Sequence, residues 1–185
     1  MSTSTAADSG TVAPALRRLY FARFGFAIVW AGLLFTSASR LGPLSVALLV
    51  LYPLFDVAAA LVDVRSARAA GGPALGLYVN IAISGLAGIG LAFAAASGIP
   101  AVLRVWGIWA VVSGLTQLVI GVSRRELGGQ WPMIVSGAIS TVAGTFFFLQ
   151  AAQPNASLVN LAGYATFGGL FFLVSAIRLG RVTAG

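Results

Sequence analysis

The chain of 185 residues contains no cysteine, no histidine and no lysine, and only four of its residues are acidic. Without cysteine it has no disulfides and no thiolate ligands. Without histidine it lacks the side chain that most often serves as a general base and a metal ligand near neutral pH. These absences exclude most enzyme classes and most transition-metal sites, so we expect no cofactor, no metal and no catalytic residue.

Charge is also scarce, because only 8% of the residues are charged while 59% are hydrophobic and the mean hydropathy is +0.98. A soluble domain usually carries about 25% charged residues. A helix needs ~20 mostly apolar residues to cross a bilayer, so six crossings would use ~120 residues and leave no room for a second domain. The sequence predicts an all-α, polytopic membrane protein whose main partner is the lipid bilayer.

Six apolar runs are separated by glycine, proline and polar residues, which are typical of helix ends and loops. The predicted crossings are approximately 19–39, 44–62, 74–96, 101–122, 131–149 and 158–177. The segment 1–16 is rich in serine, threonine and alanine and is predicted to be a disordered tail. Residues 17–181 then form a six-helix transmembrane domain, followed by a short tail over 182–185.

All 11 basic residues are arginine, and they lie at the ends of the apolar runs. Assigning alternate loops to opposite sides places two arginines on one side, Arg40 and Arg104, and nine on the other: Arg17, Arg18, Arg23, Arg65, Arg68, Arg124, Arg125, Arg178 and Arg181. Positive residues near short loops stay in the cytoplasm. The sequence therefore predicts a multi-pass protein of the cell membrane with both termini in the cytoplasm. Because the arginines form no continuous face, we expect no nucleic-acid partner.

The six runs also fall into three related pairs. The odd runs end in WAGLLF, GIGLAF and VAGTFF, which align at Gly32, Gly90 and Gly144. The even runs align so that Asp56, Gln117 and Phe172 occupy equivalent places. This internal repeat predicts three consecutive helical hairpins. Internal repeats are common in membrane proteins, and transporters are among them.

Residues 109–144 read WAVVSGLTQLVIGVSRRELGGQWPMIVSGAISTVAG: an apolar helix, an arginine-bearing turn, Gly-x-Trp and a glycine-spaced helix. This pattern resembles the HdeD-like family of small bacterial membrane proteins, on Trp109, Gly114, Arg124, Arg125, Gly129, Trp131, Gly137 and Gly144. Helix count and hairpin layout extend the likeness over about 20–180. The resemblance implies a six-helix protein of the inner membrane with no established reaction, and a role in acid resistance in one branch of the family.

Asp56 lies past the middle of the second run, where an aspartate opposes membrane insertion by about 2.5–3.5 kcal/mol. An acid at this depth should face the bundle and be either paired or protonated. Arg23 lies at a similar depth in the neighbouring run and is the predicted partner, with Gln117 at the equivalent repeat position. The pair is either structural or part of a proton- or ion-coupled site. Asp63 and Glu126 lie beside arginines of the loops and are predicted to form solvated ion pairs.

Glycines recur at helical spacing in the second half of the chain and at two positions of the third run. They are Gly85, Gly88, Gly107, Gly114, Gly121, Gly137 and Gly144. Small residues let membrane helices approach closely, so these positions are predicted to be helix contacts, with a glycine-lined ligand cavity as the alternative.

The sequence leaves three functional hypotheses. The first is a non-enzymatic, HdeD-like membrane protein that acts in envelope or acid-stress tolerance. Under this hypothesis the chain functions either alone or as a homo-oligomer. The second is a small proton- or ion-coupled transporter or channel that uses Asp56. The third, a membrane enzyme, has the least support, because no histidine, no cysteine and no pair of acids at one depth are available.

Overall fold

A computed structural model of the chain describes residues 5–38, 40–69, 71–123, 126 and 131–182. These residues form six α-helices: α1 Thr5–Ser37, α2 Pro43–Ala69, α3 Leu75–Ala95, α4 Ile99–Ser123, α5 Trp131–Gln150 and α6 Val159–Val182. Each contains a stretch long enough and apolar enough to cross a membrane. The prediction of an all-α chain with six membrane-length helices is confirmed, and the helices are consistent with an integral membrane protein, because a helix satisfies its own backbone hydrogen bonds in lipid.

The first helix is longer than predicted. It begins at Thr5, so residues 5–16 are helical, whereas the sequence predicted disorder over 1–16. The apolar part of α1 runs from Pro14 to Ser37, and the residues before it extend a helix that already exists. Extending an existing helix avoids the free-energy cost of nucleating a new one, and the alanines of this segment favour the helical conformation. Residues 1–4 and 183–185 lie outside the described part of the chain.

The outer surface of the bundle is apolar. Leu86 and Phe93 of α3 are 70% and 77% exposed, and Val142 of α5 is 71% exposed. Soluble monomers rarely expose apolar surface on this scale. Side chains of this kind suggest that the bundle is surrounded by lipid.

The helices pack in cyclic order, each against the next and α6 against α1. The most extensive contact joins α4 to α5, followed by α1 to α6 and α2 to α3. Contacts within the predicted hairpins α1–α2, α3–α4 and α5–α6 are less extensive, and α5 and α6 scarcely touch. The bundle is therefore held together mainly between the predicted hairpins, and its thinnest contact lies between α5 and α6.

Neighbouring helices run antiparallel. In the α1–α6 contact, Gly169 lies against Ala27 and Gly180 lies beside Arg17. In the α1–α2 contact, Arg23 meets Asp63, whereas the indole of Trp30 meets Leu48. Both ends of the described chain consequently lie at one end of the bundle. We call it the arginine-rich end, because its exposed residues include Arg17, Arg18, Arg65, Arg68 and Arg178.

The hydrophobic core fills the half of the bundle that lies away from the arginine-rich end. The rings of Trp30 and Trp106 stack at 5.4 Å, and Trp30 Nε1 donates a hydrogen bond to the carbonyl oxygen of Leu48 at 2.6 Å. Large, fully buried side chains surround this pair: Leu34, Leu49, Leu91, Val102, Leu103, Phe147, Leu158 and Leu161. This half, which we call the packed half, closes the bundle at that end.

Glycines form the contact between α4 and α5. A Cβ atom at Gly107 would lie 2.6 Å from the carbonyl oxygen of Gly144, and one at Gly114 would lie 2.6 Å from that of Gly137. Gly121 lies against Ile134 of α5, and Gly88 of α3 lies against Pro53 and Leu54 of α2. By contrast, a Cβ at Gly85 would meet nothing within 4 Å, so this position makes no close helix contact.

We expect Gly144→Ala to lower the thermal stability of the purified protein clearly, by about 1–3 kcal/mol, because its methyl group would overlap backbone atoms of α4 that cannot move aside. The matched control is Gly85→Ala, which adds the same methyl group to open space. Thermal unfolding in detergent measures both variants. Equal midpoints for the two would contradict a close α4–α5 contact.

Candidate functional site

Arg23 joins two carboxylates of α2. Its Nη1 atom lies 3.3 Å from Oδ1 of Asp56, and its Nη2 atom lies 3.3 Å from Oδ2 of Asp63. Asp56 and Asp63 are seven residues apart, or about two helical turns, so they share one face of α2. The guanidinium also lies over the ring of Phe172 in α6, 5.0 Å from its centroid. One cation thereby links α1, α2 and α6.

Helix α3 supplies two hydrogen-bond donors to Asp56. Asn80 Nδ2 and Ser84 Oγ donate to Oδ2 at 2.7 and 2.9 Å. These two residues are four positions apart and therefore project from the same face of α3. Trp109 Nε1 of α4 donates to Ser84 Oγ at 3.1 Å, which extends the network to a fourth helix.

Arg23, Asp56, Asp63, Asn80 and Trp109 line a cavity of about 730 Å³ between the helices, which we call the polar cavity. All six helices contribute to it, and its further polar lining residues are Ser113, Thr116, Gln117, Ser136, Ser140, Tyr164 and Ser175. Lining residues such as Ser66, Gly76 and Ile120 lie close to the arginine-rich end. Tyr52 and Trp106 lie where the cavity meets the packed half. The cavity therefore extends from the arginine-rich end into the middle of the bundle.

Among the residues that the structure describes, the charged ones that line the polar cavity are Arg23, Asp56 and Asp63. One guanidinium against two carboxylates leaves a formal charge of −1. The side chains are 12%, 20% and 17% exposed, so the ions are largely buried but still reach the cavity. An excess carboxylate in a confined space of low dielectric attracts a cation.

Aromatic rings form one wall of the polar cavity. Tyr52, Trp106 and Trp109 lie within 5.1–6.1 Å of one another, measured between ring centroids. Within the described part of the chain, Trp106 Nε1 is buried without a hydrogen-bond partner, as are Ser113 Oγ and Arg23 Nε. A buried donor without a partner opposes folding, so such groups point to a ligand or water that completes the site.

The structure brings together two of the residues singled out in the sequence, Arg23 and Asp56, and places Gln117 in the lining of the same cavity. Gln117 is not among the hydrogen-bond partners of Asp56, which are Arg23, Asn80 and Ser84. The aligned repeat positions Asp56, Gln117 and Phe172 all line the polar cavity.

Asp63 corrects one prediction. Its expected solvated ion pair at a loop is replaced by a contact with Arg23, because Asp63 lies inside α2 and on the face that carries Asp56. Glu126 is exposed, and its predicted ion pair stays a prediction, because Arg124 and Arg125 lie outside the described residues. Asn80 and Ser113 were missed, and Ser84 was not recognised as a partner of Asp56, because single polar residues are common in membrane helices. The spacing of Asn80 and Ser84 on one face of α3 was a usable signal.

Comparisons of the chain with protein-family models, with curated proteins and with solved structures gave no match. Function must be inferred from the site itself. Within the described residues, no group of three or more histidine, cysteine, aspartate or glutamate side chains is arranged to hold a metal ion. The arrangement that remains is a polar cavity with an excess negative charge, aromatic walls and unpartnered donors.

Proposed function

We propose that this chain is a small, non-enzymatic transporter of the cytoplasmic membrane that binds a cation or a protonated solute in the polar cavity around Asp56. The observation that carries the proposal is the excess carboxylate in a cavity of about 730 Å³ within a bundle of membrane-length helices. Ionisable groups inside membrane helices oppose insertion and often mark ion or substrate pathways. A purely structural Asp–Arg pair would need neither the second carboxylate nor the cavity.

The shape of the cavity supports transport over a purely architectural role. Its lining extends to the arginine-rich end, while the opposite end is closed by the stacked Trp30 and Trp106 and the side chains around them. A site near the middle of the membrane, reached from one side at a time, is what alternating access requires. The nine-to-two distribution of arginines supports assigning the open end, and both termini, to the cytoplasm.

The aromatic wall supports an organic cation as the solute. Tyr52 and Trp109 line the same cavity as Asp56 and Asp63, and the fully buried Trp106 packs against both rings. A cation placed over an aromatic face gains about 0.5–2 kcal/mol, with the larger values where water is excluded, and quaternary ammonium groups are often recognised in this way. The carboxylates of Asp56 and Asp63 supply the opposite charge that such a cation needs.

Membership of the HdeD-like family, and with it a role in envelope or acid-stress tolerance, is a second proposal. It is supported by the residues of 109–144, and Gly114, Gly137 and Gly144 of that pattern belong to the α4–α5 contact. A stress role is compatible with transport, because a membrane protein that exports a cationic solute alters envelope tolerance. The transport test below addresses the activity itself.

We expect the purified protein in proteoliposomes to take up radiolabelled tetramethylammonium, and Asp56→Asn and Asp63→Asn each to lower uptake at least tenfold. Either substitution removes the excess negative charge while keeping the size of the side chain. Gly25→Ala serves as the control, because a Cβ at Gly25 would meet nothing within 4 Å and this residue does not line the cavity. Thermal unfolding verifies that all variants are folded. Wild-type uptake no faster than in empty vesicles, or full uptake by both aspartate variants, would refute the proposal.

A further inference from the structure

The thinnest contact between neighbouring helices, that of α5 with α6, lies beside the polar cavity. These two helices are consecutive in the chain, yet they pack less closely than any other neighbouring pair in the described residues. At the middle of the contact, the hydroxyl groups of Ser140 and Tyr164 share a hydrogen bond of 2.8 Å. We call this contact the α5–α6 seam. Separating it requires little loss of packing.

An apolar groove of about 940 Å³ lies on the outside of this seam, between α1, α5 and α6. Its lining is mainly aliphatic and aromatic, including Ile28, Phe35 and Phe146. Four residues line both the groove and the polar cavity: Ile139, Tyr164, Phe167 and Phe171. The groove and the cavity are therefore adjacent across the seam, with the charges on the inner side and an apolar channel on the lipid side.

We propose that the polar cavity binds a single-chain cationic amphiphile, whose charged head lies against Asp56 and Asp63 and whose alkyl chain passes through the α5–α6 seam into the apolar groove. This inference rests on the proposed function and specifies its substrate class. It also assigns the route of entry, which is from the membrane through the seam.

Charge complementarity decides how the amphiphile is oriented. Of the described residues, those lining the groove include no charged side chain, whereas those lining the polar cavity carry a formal charge of −1. A cationic head in the groove would lack a counter-ion, and an alkyl chain in the cavity would cover the unpartnered donors of Trp106 and Ser113. With the head in the cavity and the alkyl chain in the groove, the cation meets the carboxylates and the chain meets apolar side chains.

The groove has room for the chain. Gly32 of α1 and Gly163 of α6 line it, and a Cβ atom at either position would meet nothing within 4 Å. A large side chain at one of these glycines would fill the groove without disturbing the contacts of the polar cavity. This gives a way to separate binding of the head from binding of the chain.

The test uses the full chain in lipid nanodiscs with bound radiolabelled tetramethylammonium, displaced by unlabelled tetramethylammonium or by n-octyltrimethylammonium. Wild type and the variants Gly163→Trp, Gly32→Trp and Gly25→Trp are compared. Gly25 is the control, because it also faces open space but lines neither the groove nor the cavity. Moving a methylene group from water to an apolar site tightens binding by roughly threefold to fourfold. Partition of the octyl compound into lipid is the same for every variant.

We expect the octyl compound to bind wild type and Gly25→Trp far more tightly than tetramethylammonium does. In Gly163→Trp and Gly32→Trp this advantage should fall at least tenfold, while the affinity for tetramethylammonium changes less than twofold and thereby reports intact folding. An equal octyl advantage in all four proteins would overturn the amphiphile proposal and leave a small hydrophilic cation as the substrate. Absence of tetramethylammonium binding in wild type would instead overturn the proposed function, and this inference with it.

Discussion

Arg23→Leu is expected to destabilise the folded protein by about 3–5 kcal/mol, which is the usual cost of removing one partner from a buried ion pair. Arg23 is the cation beside both Asp56 and Asp63, at 3.3 Å from each, and its side chain is only 12% exposed. Without it, two carboxylates of one helix face would lie in the bundle with no counter-charge. Denaturant unfolding in mixed micelles measures the loss.

The decisive control is the triple variant Arg23→Leu, Asp56→Asn and Asp63→Asn. Because it removes the stranded charges together with the arginine, we expect it to recover more than half of the lost stability. Arg23→Lys should be intermediate, since a lysine keeps the charge but cannot reach both carboxylates with a planar fork. If Arg23→Leu were as stable as wild type, or if the triple variant were less stable than Arg23→Leu, the ion pairs would not be the cause.

Trp30→Ala should produce the second large loss, also about 3–5 kcal/mol, because it leaves a cavity where a fully buried indole was packed. The indole stacks on Trp106 and donates the 2.6 Å hydrogen bond to Leu48. Trp30→Phe keeps one ring in the space and removes the hydrogen bond and the smaller part of the indole, so it should lose less, about 1–2 kcal/mol. Unfolding midpoints in detergent report both.

The same substitution at Trp131 provides the comparison. Trp131 is 73% exposed at the start of α5, and Trp131→Ala should change stability by no more than about 0.5 kcal/mol. Losses of similar size at Trp30 and Trp131 would show that the packed half is not the rigid part of the bundle. Loss of uptake in Trp30→Ala without loss of stability would point instead to a direct role in the solute pathway.

The number and type of helices could be predicted from the sequence, because lipid demands long apolar runs and glycine and proline separate them. The Arg23–Asp56 contact could also be predicted, since an acid and a base at similar depth in adjacent helices have few other partners. The start of α1 could not, because residues 5–16 lack an apolar period and are helical only as an extension of the apolar segment.

The extent of each helix–helix contact could not be predicted from the sequence. Hairpin connections fix which helices are consecutive, but the extent of each contact depends on how side chains fit. The α4–α5 contact is extensive because glycine meets glycine at two levels, Gly107 with Gly144 and Gly114 with Gly137. The α5–α6 seam is thin although the two helices follow one another in the chain. The cavity results from this unequal packing, so its existence could not be deduced from any single residue.

The polar cavity and the packed half give the two ends of the bundle different properties. At the arginine-rich end, charged and polar side chains line an accessible space. At the other end, the side chains are fully buried, as those of Trp30, Trp106 and Leu49 show. The proposed transport activity would require the open and closed ends to exchange.

Access to the polar cavity from the arginine-rich end is the central claim, and cysteine labelling tests it directly because the chain has no cysteine of its own. Ser136→Cys places a thiol in the cavity lining, Ala162→Cys places one in the packed half, and Gln153→Cys marks the opposite end. A membrane-impermeant maleimide, applied to each side in turn, should label Ser136→Cys only from the arginine-rich side, Gln153→Cys only from the other side, and Ala162→Cys from neither. Labelling of Ser136→Cys from the side that labels Gln153→Cys, or from neither side, would contradict the account.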